Sequence, residues 1–193
     1  MVRIGITGGI GSGKTYVCQI MERMGIPVYY CDSEAKRLMS ESPEIRCSLT
    51  GLLGSNVYLP DGALNKKLLS DYIFADKQHT LQINRIVHPV VKRDFLDFVC
   101  KQDKTIRFCA LESAILFESG FRDVVDVAVL IDAPWSLRLQ RAMLRDAATK
   151  EQIEARMRSQ MADEDRRRQA DFCICNDETE DLEDQVKKLL ERL

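Results

Sequence analysis

Gly8-Gly9-Ile10-Gly11-Ser12-Gly13-Lys14-Thr15 satisfies every fixed position of the phosphate-binding P-loop, and that loop works only between a strand and a helix. Both flanks meet the demand. Val2 to Thr7 is short and apolar enough for a buried strand, and Val17, Ile20, Met21 and Met24 recur at helical spacing until Gly25 ends the run. Gly8 and Gly13 let the backbone fold tightly where a Cβ would obstruct phosphate. Successive N–H groups and the positive end of the following helix then face the anion. Lys14 supplies a mobile point charge for the outer phosphates, and the Thr15 hydroxyl suits Mg²⁺. The residues expected to touch a nucleoside triphosphate are thus Gly11, Ser12, Gly13, Lys14, Thr15 and Tyr16.

Beyond the loop, strand-like and helical segments alternate, the pattern of a parallel sheet wrapped by helices. Ile26 to Cys31 reads as a second strand ending at Asp32. No convincing strand follows until Ile106–Leu111, Val124–Ile131 and Phe172–Cys175. The intervening block carries helix and turn signals at Ser42-Pro43-Glu44, Pro60-Asp61-Gly62 and Asn65, and His88-Pro89 is expected to break one helix and begin another. Such a block exceeds an ordinary crossover helix. The expected fold is α/β: a three-layer, nucleotide-kinase-like arrangement around a five-stranded parallel sheet. Residues 1–32, 105–135 and 166–193 form its core, with a helical insertion at 33–104 and a helical lid at 136–165.

A chain of 193 residues can bury a real core, and a net charge of −2 argues against a nucleic-acid carrier. No apolar stretch approaches the roughly 20 residues that span a bilayer. The N-terminus is taken up by the first strand, so it does not read as a secretion signal, and a cytoplasmic location is expected. Seven cysteines are an odd number, and Cys18, Cys31, Cys109 and Cys173 lie in apolar segments, as small buried hydrophobes do. Cys173 and Cys175 are expected on opposite faces of the last strand, which disfavours a metal site. A monomer or weak homo-oligomer is expected.

A P-loop alone does not separate kinases from motors, switches or transporters. The chain is short for a motor and lacks the Asn-Lys-x-Asp guanine-reading tetrapeptide. A helical insertion and an arginine-bearing lid suit a small-molecule kinase, which must exclude water to avoid hydrolysing ATP. Asp32 is the strongest further candidate, as base for an acceptor hydroxyl or outer ligand of Mg²⁺; the alternative is a helix cap. Asp132 and Glu112 both end apolar runs and compete to organise Mg²⁺, each with a salt-bridge alternative. Arg141 and Arg145, four residues apart, share a helix face from which they can reach transferred charge. Arg138 stands nearby, while Arg166-Arg167-Arg168 beside Asp163-Glu164-Asp165 reads as a solvated, self-paired helix. His88 can contact a ligand or cap a helix. A nucleoside or nucleotide kinase, and a non-catalytic nucleotide sensor, remain open on these residues.

Over essentially its whole length the chain resembles dephospho-coenzyme A kinases. The resemblance rests on Thr7 to Lys14, Asp32, Asp61-Gly62-Ala63-Leu64, Val87-His88-Pro89, Leu116-Phe117-Glu118, Arg141-x-x-x-Arg145-Asp146, Arg156, Ser159-Gln160-Met161, Ala170-Asp171 and Asn176. It implies ATP-dependent phosphorylation of the ribose 3′-hydroxyl of dephospho-CoA, the last step of coenzyme A synthesis. It further implies Asp32 as base, His88 as a substrate-side residue, Leu116, Phe117 and Glu118 lining the acceptor crevice, and Asn176 near the ATP base. The insertion corresponds to the family's CoA-binding helical region. Departures are Tyr16 for a small polar residue, loss of a proline within Glu112 to Ile115, Arg138 for glutamine, and Ala147 for glycine.

Overall fold

The structure is a computed structural model describing residues 1–193. Five parallel strands form one sheet in the order β2-β3-β1-β4-β5: β1 Val2–Thr7, β2 Val28–Tyr30, β3 Phe108–Glu112, β4 Val127–Asp132 and β5 Phe172–Cys175. The P-loop strand β1 is central, with β3 and β4 on either side. Ile6 stands opposite Glu112 in β3, and Thr7 opposite Leu130 in β4. Both acidic strand ends therefore flank the loop, which is why the sequence does not single one out.

The chain divides into two compact units, residues 1–30 with 101–193 and residues 31–100. In the first, α1 (Lys14–Arg23) and the last helix, α9 (Leu182–Arg192), cover one face of the sheet. Val17, Cys18, Ile20 and Met21 pack there with Ile4, Ile6, Val186 and Leu189. On the other face Gly5 leaves room for Leu116 and Val125, whose side chains lie 3.0 Å from where a Cβ would be. Burial of these apolar faces supplies the main stabilisation. α6 (Trp135–Asp146) and α7 (Lys150–Arg158) pack on each other through Ala142, Ile153 and Met157, and α8 (Asp163–Gln169) leads into β5. The turn between α6 and α7 passes through Ala147 at φ +47°, a left-handed conformation that favours glycine.

The second unit is all-helical: α2 (Cys31–Glu41), α3 (Pro43–Leu53), α4 (Lys66–Ala75) and α5 (Lys77–Cys100). Ser42 and Asn65 cap α3 and α4 through their side-chain oxygens, which accept from Ile45 N and Leu68 N. α5 contradicts the expected break at His88-Pro89, since it is one helix of 24 residues with Pro89 inside. Proline removes one ladder hydrogen bond and costs about 3 kcal/mol. Val87, Val90, Val91 and Phe95, buried on both sides of it, hold the helix through.

Four more local expectations fail. β2 is only three residues long, and Asp32 lies in the first turn of α2 instead of at a strand end. Cys173 is exposed, and it shares a strand face with Cys175, because side chains two residues apart in a strand point the same way. Its thiol is nonetheless partly desolvated, and this with the neighbouring Cys175 pushes it up to about 12. Cys18, Cys31 and Cys109 are buried as expected, and all seven cysteines are unpaired.

Candidate active site

β1 ends at Thr7, and the loop that follows turns through Gly11 at φ +77° and Gly13 at φ +93° before α1 begins at Lys14. Only glycine adopts these angles readily, and space is a second constraint. A Cβ on Gly11 would lie 2.1 Å from the Arg138 carbonyl oxygen, and one on Gly13 would lie 2.1 Å from the Asn176 side-chain nitrogen. The loop is thus gripped between α6 and the end of β5. Lys14 Nζ folds back to donate to the carbonyls of Gly8 and Gly9 at 2.9 and 3.1 Å. The Ser12 hydroxyl is buried without a hydrogen-bond partner, and Thr15 is exposed.

A hollow of about 370 Å³ opens over the loop, lined by Gly11, Gly13, Lys14, Thr15, Arg141 and Arg145, with Tyr16 at its edge. Three cations around the loop give this hollow the chemistry that suits a polyanion. Asn176, only 8% exposed, ties its floor together. Its side-chain nitrogen donates to Ser12 O at 2.8 Å, while Arg141 donates to its backbone and side-chain oxygens at 3.2 and 3.3 Å. Arg145 is more exposed and pairs with Asp146, which also holds Arg156.

The run Arg166-Arg167-Arg168 is self-paired in part, as expected, but it is not the solvated helix expected. Arg166 is 2% exposed, donates to the Met161 carbonyl and pairs with Asp163 at 3.2 Å. Arg138, equally buried, pairs with the same carboxylate. Both guanidinium groups lie against Gly9. Burial pushes the Arg166 guanidinium below its ordinary value, with Asp163 opposing. Arg167 pairs with Asp132 at 2.8 Å, and only Arg168 makes surface pairs with Glu164 and Asp165. Asp132 accepts from Ala133 N as well, so both its oxygens are engaged. The shared Asp163 was missed from the sequence. Its one signal is the i, i+3 spacing to Arg166.

Leu116 is fully buried under β1, so its side chain supports the sheet instead of lining a crevice. Phe117 is half-buried, and exposed Glu118 accepts from Met161 N at 3.4 Å.

In the helical unit, Asp32 is exposed in the first turn of α2. Lys36, Met39 and Ser40 follow on the same stripe of α2 and border a groove of about 630 Å³, floored by Leu64, Leu69 and Ile73. His88 is half-buried on α5, and burial, with help from Lys92, pushes its pKa below the usual imidazole value.

A profile of the dephospho-CoA kinase family matches residues 2–181. A dephospho-CoA kinase of Bacteroides fragilis is 46% identical over 189 residues, covering 98% of this chain and 91% of that protein. The chain belongs to the dephospho-CoA kinase family. TT1252 from Thermus thermophilus superposes with a TM-score of 0.84 at 31% identity, over 100% of this chain and 97% of that one. A dephospho-CoA kinase from Campylobacter jejuni shares the fold with a TM-score of 0.71 at 24% identity, over 98% and 96% of the two chains. The reaction is that of a dephospho-CoA kinase: ATP-dependent phosphorylation of dephospho-CoA in the final step of coenzyme A synthesis. Within the dephospho-CoA kinase pattern, Arg138 and Ala147 are the departures whose surroundings are now defined, one buried against the P-loop and one in a left-handed turn.

Proposed function

We propose that Lys14, Arg141 and Arg145 receive the triphosphate of ATP and that Asp32 accepts the proton of the ribose 3′-hydroxyl of dephospho-CoA. The oxygen then bonds to the γ-phosphorus as the bond from that phosphorus to the β,γ-bridging oxygen breaks, releasing ADP. The observation carrying the donor half is the cationic hollow over the P-loop, with Asn176 joining Arg141 to Ser12. Guanidinium groups at its rim stabilise charge on the transferred group, a contribution of about 10²–10³ in rate for one such donor. The Thr15 hydroxyl, exposed at the start of α1, fits Mg²⁺, which needs few protein oxygens when phosphates supply the rest. When bound, Mg²⁺ neutralises phosphate charge.

The acceptor half is read in residues 33–104, as an acceptor-binding insertion, with residues 136–165 as a lid. Support comes from the groove sharing the Asp32 stripe: its apolar floor suits a long, weakly polar arm, and Lys36 and Lys66 at its edge suit a diphosphate. His88, Phe117 and Glu118 are assigned to the acceptor side, His88 as a neutral imidazole. The unpaired state of all seven cysteines supports a cytoplasmic location. Asp32→Asn is the test. kcat for dephospho-CoA falls about 10³-fold while ATP affinity by calorimetry stays within twofold. Activity near wild type would remove Asp32 as the base.

A further inference from the structure

Ser159-Gln160-Met161 lies in the link between α7 and α8, outside the groups assigned to either substrate. The link is held on three sides. Gln160 Oε1 accepts from Ile10 N at 2.9 Å, Met161 N donates to Glu118 at 3.4 Å, and the Met161 carbonyl accepts from the buried Arg166. A main-chain N–H can only donate, so the amide oxygen of Gln160 is the atom turned toward the P-loop. Ile10 and Gln160 are both half-buried, which limits competition from water.

The peptide joining Gly9 to Ile10 is engaged at both ends. Its N–H meets Gln160, while its carbonyl accepts from Lys14 Nζ and from Ser12 N, each at 3.1 Å. One peptide plane thus joins the α7–α8 link to the lysine of the P-loop. The Ile10 side chain packs on Ala142, Ile153 and Met157, the cluster between α6 and α7. That contact is non-directional, so it holds the residue in place without fixing the tilt of its peptide. The hydrogen bond is directional and does fix it. Since α6 also carries Arg141 and Arg145, the tilt sets the lysine against the arginines that border the same hollow.

We propose that Gln160 is a positioning residue for phosphoryl transfer, tilting the peptide between Gly9 and Ile10 so that Lys14 lines up with Arg141 across the cationic hollow. This role rests on the donor reading above and adds to it the group that aligns its two sides. Gln160 acts through Ile10, without touching the transferred group.

Initial rates with dephospho-CoA and calorimetric titration of ATP test this on wild type, Gln160→Met, Gln160→Glu, Arg141→Ala and the double variant Gln160→Met with Arg141→Ala. All are measured at a temperature where circular dichroism shows each one folded. Gln160→Met keeps the length of the side chain and removes the amide acceptor. It lowers kcat about tenfold, the size of one lost hydrogen bond whose donor stays half-buried, and leaves ATP affinity within twofold. Gln160→Glu keeps an acceptor oxygen and holds kcat within threefold. In the Arg141→Ala background Gln160→Met costs less than threefold, because alignment toward a missing guanidinium has no value; an independent structural contact would cost the full factor in both backgrounds. That additive result would overturn the proposal. So would an unchanged kcat in Gln160→Met, an equal loss in Gln160→Glu, or ATP affinity falling as far as kcat. Failure of the donor reading registers separately, as a wild-type rate in Arg141→Ala alone.

Discussion

Arg138 and Arg141 stand three residues apart on α6, yet the first is 2% exposed behind the P-loop while the second borders the open hollow above it. Arg138 meets Asp163 and Gly9, and shares that carboxylate with Arg166. Arg141 meets Asn176 and Glu178 at the hollow's edge. Two guanidinium groups on one helix thus stand in different settings, one fastening α6 to the P-loop and the other bordering the hollow proposed for the triphosphate. The offset between them decides which, because a step of three residues leaves the two side chains about 60° apart around the helix and roughly 4.5 Å apart along its axis. The two roles have different energetics. A buried ion pair acts on stability, since removing one partner strands the other, whereas a cation at an open site acts on the charge of the ligand.

Substitutions along α6 separate the two. Arg141→Ala is expected to lower kcat/KM for dephospho-CoA phosphorylation about 10²–10³-fold, with unfolding free energy changed by less than about 1 kcal/mol. Initial rates and urea unfolding on the same preparation measure both. Arg138→Ala is expected to do the reverse. It lowers unfolding free energy by about 2 kcal/mol, a figure below the range for fully buried pairs because Asp163 is partly exposed and keeps Arg166. Should urea unfolding of Arg138→Ala match wild type, the buried pair is not a fastening and the contrast collapses. The smallest effect lies at the end of α6. Ala147→Gly relieves a left-handed alanine at φ +47° and is offset by glycine's greater unfolded-state entropy, for a net gain of about 0.5 kcal/mol. A melting temperature 1–2 °C above wild type is the expected readout.

How far the sequence carried the structure depended on the range of the signal. The first strand, the P-loop and α1 were legible together because each restricts the next within a few residues. The same holds for β5 and α9, and for the α6–α7 turn at Ala147. Asn65 and Ser42 announced their helices as caps. Pro89 misled because a local penalty was outweighed by burial on α5, and that burial is a property of the packed helices. Arg166 misled because three adjacent arginines look alike in a window that also holds three acids. Only one of them faces the P-loop.

The sequence by itself determined that this chain holds phosphate on a glycine loop between strand and helix, and its motif order, confirmed by a family profile over residues 2–181, determined the kinase family. Both follow from chemistry confined to short segments. The tertiary structure alone decided which cations border the hollow over the P-loop and which are buried behind the loop. It also brought Asn176 onto Ser12, 164 residues away, and Gln160 onto Ile10, 150 residues away. Those outcomes depend on which strands adjoin β1 and how α6 and α8 pack on the loop, contacts that no local propensity encodes.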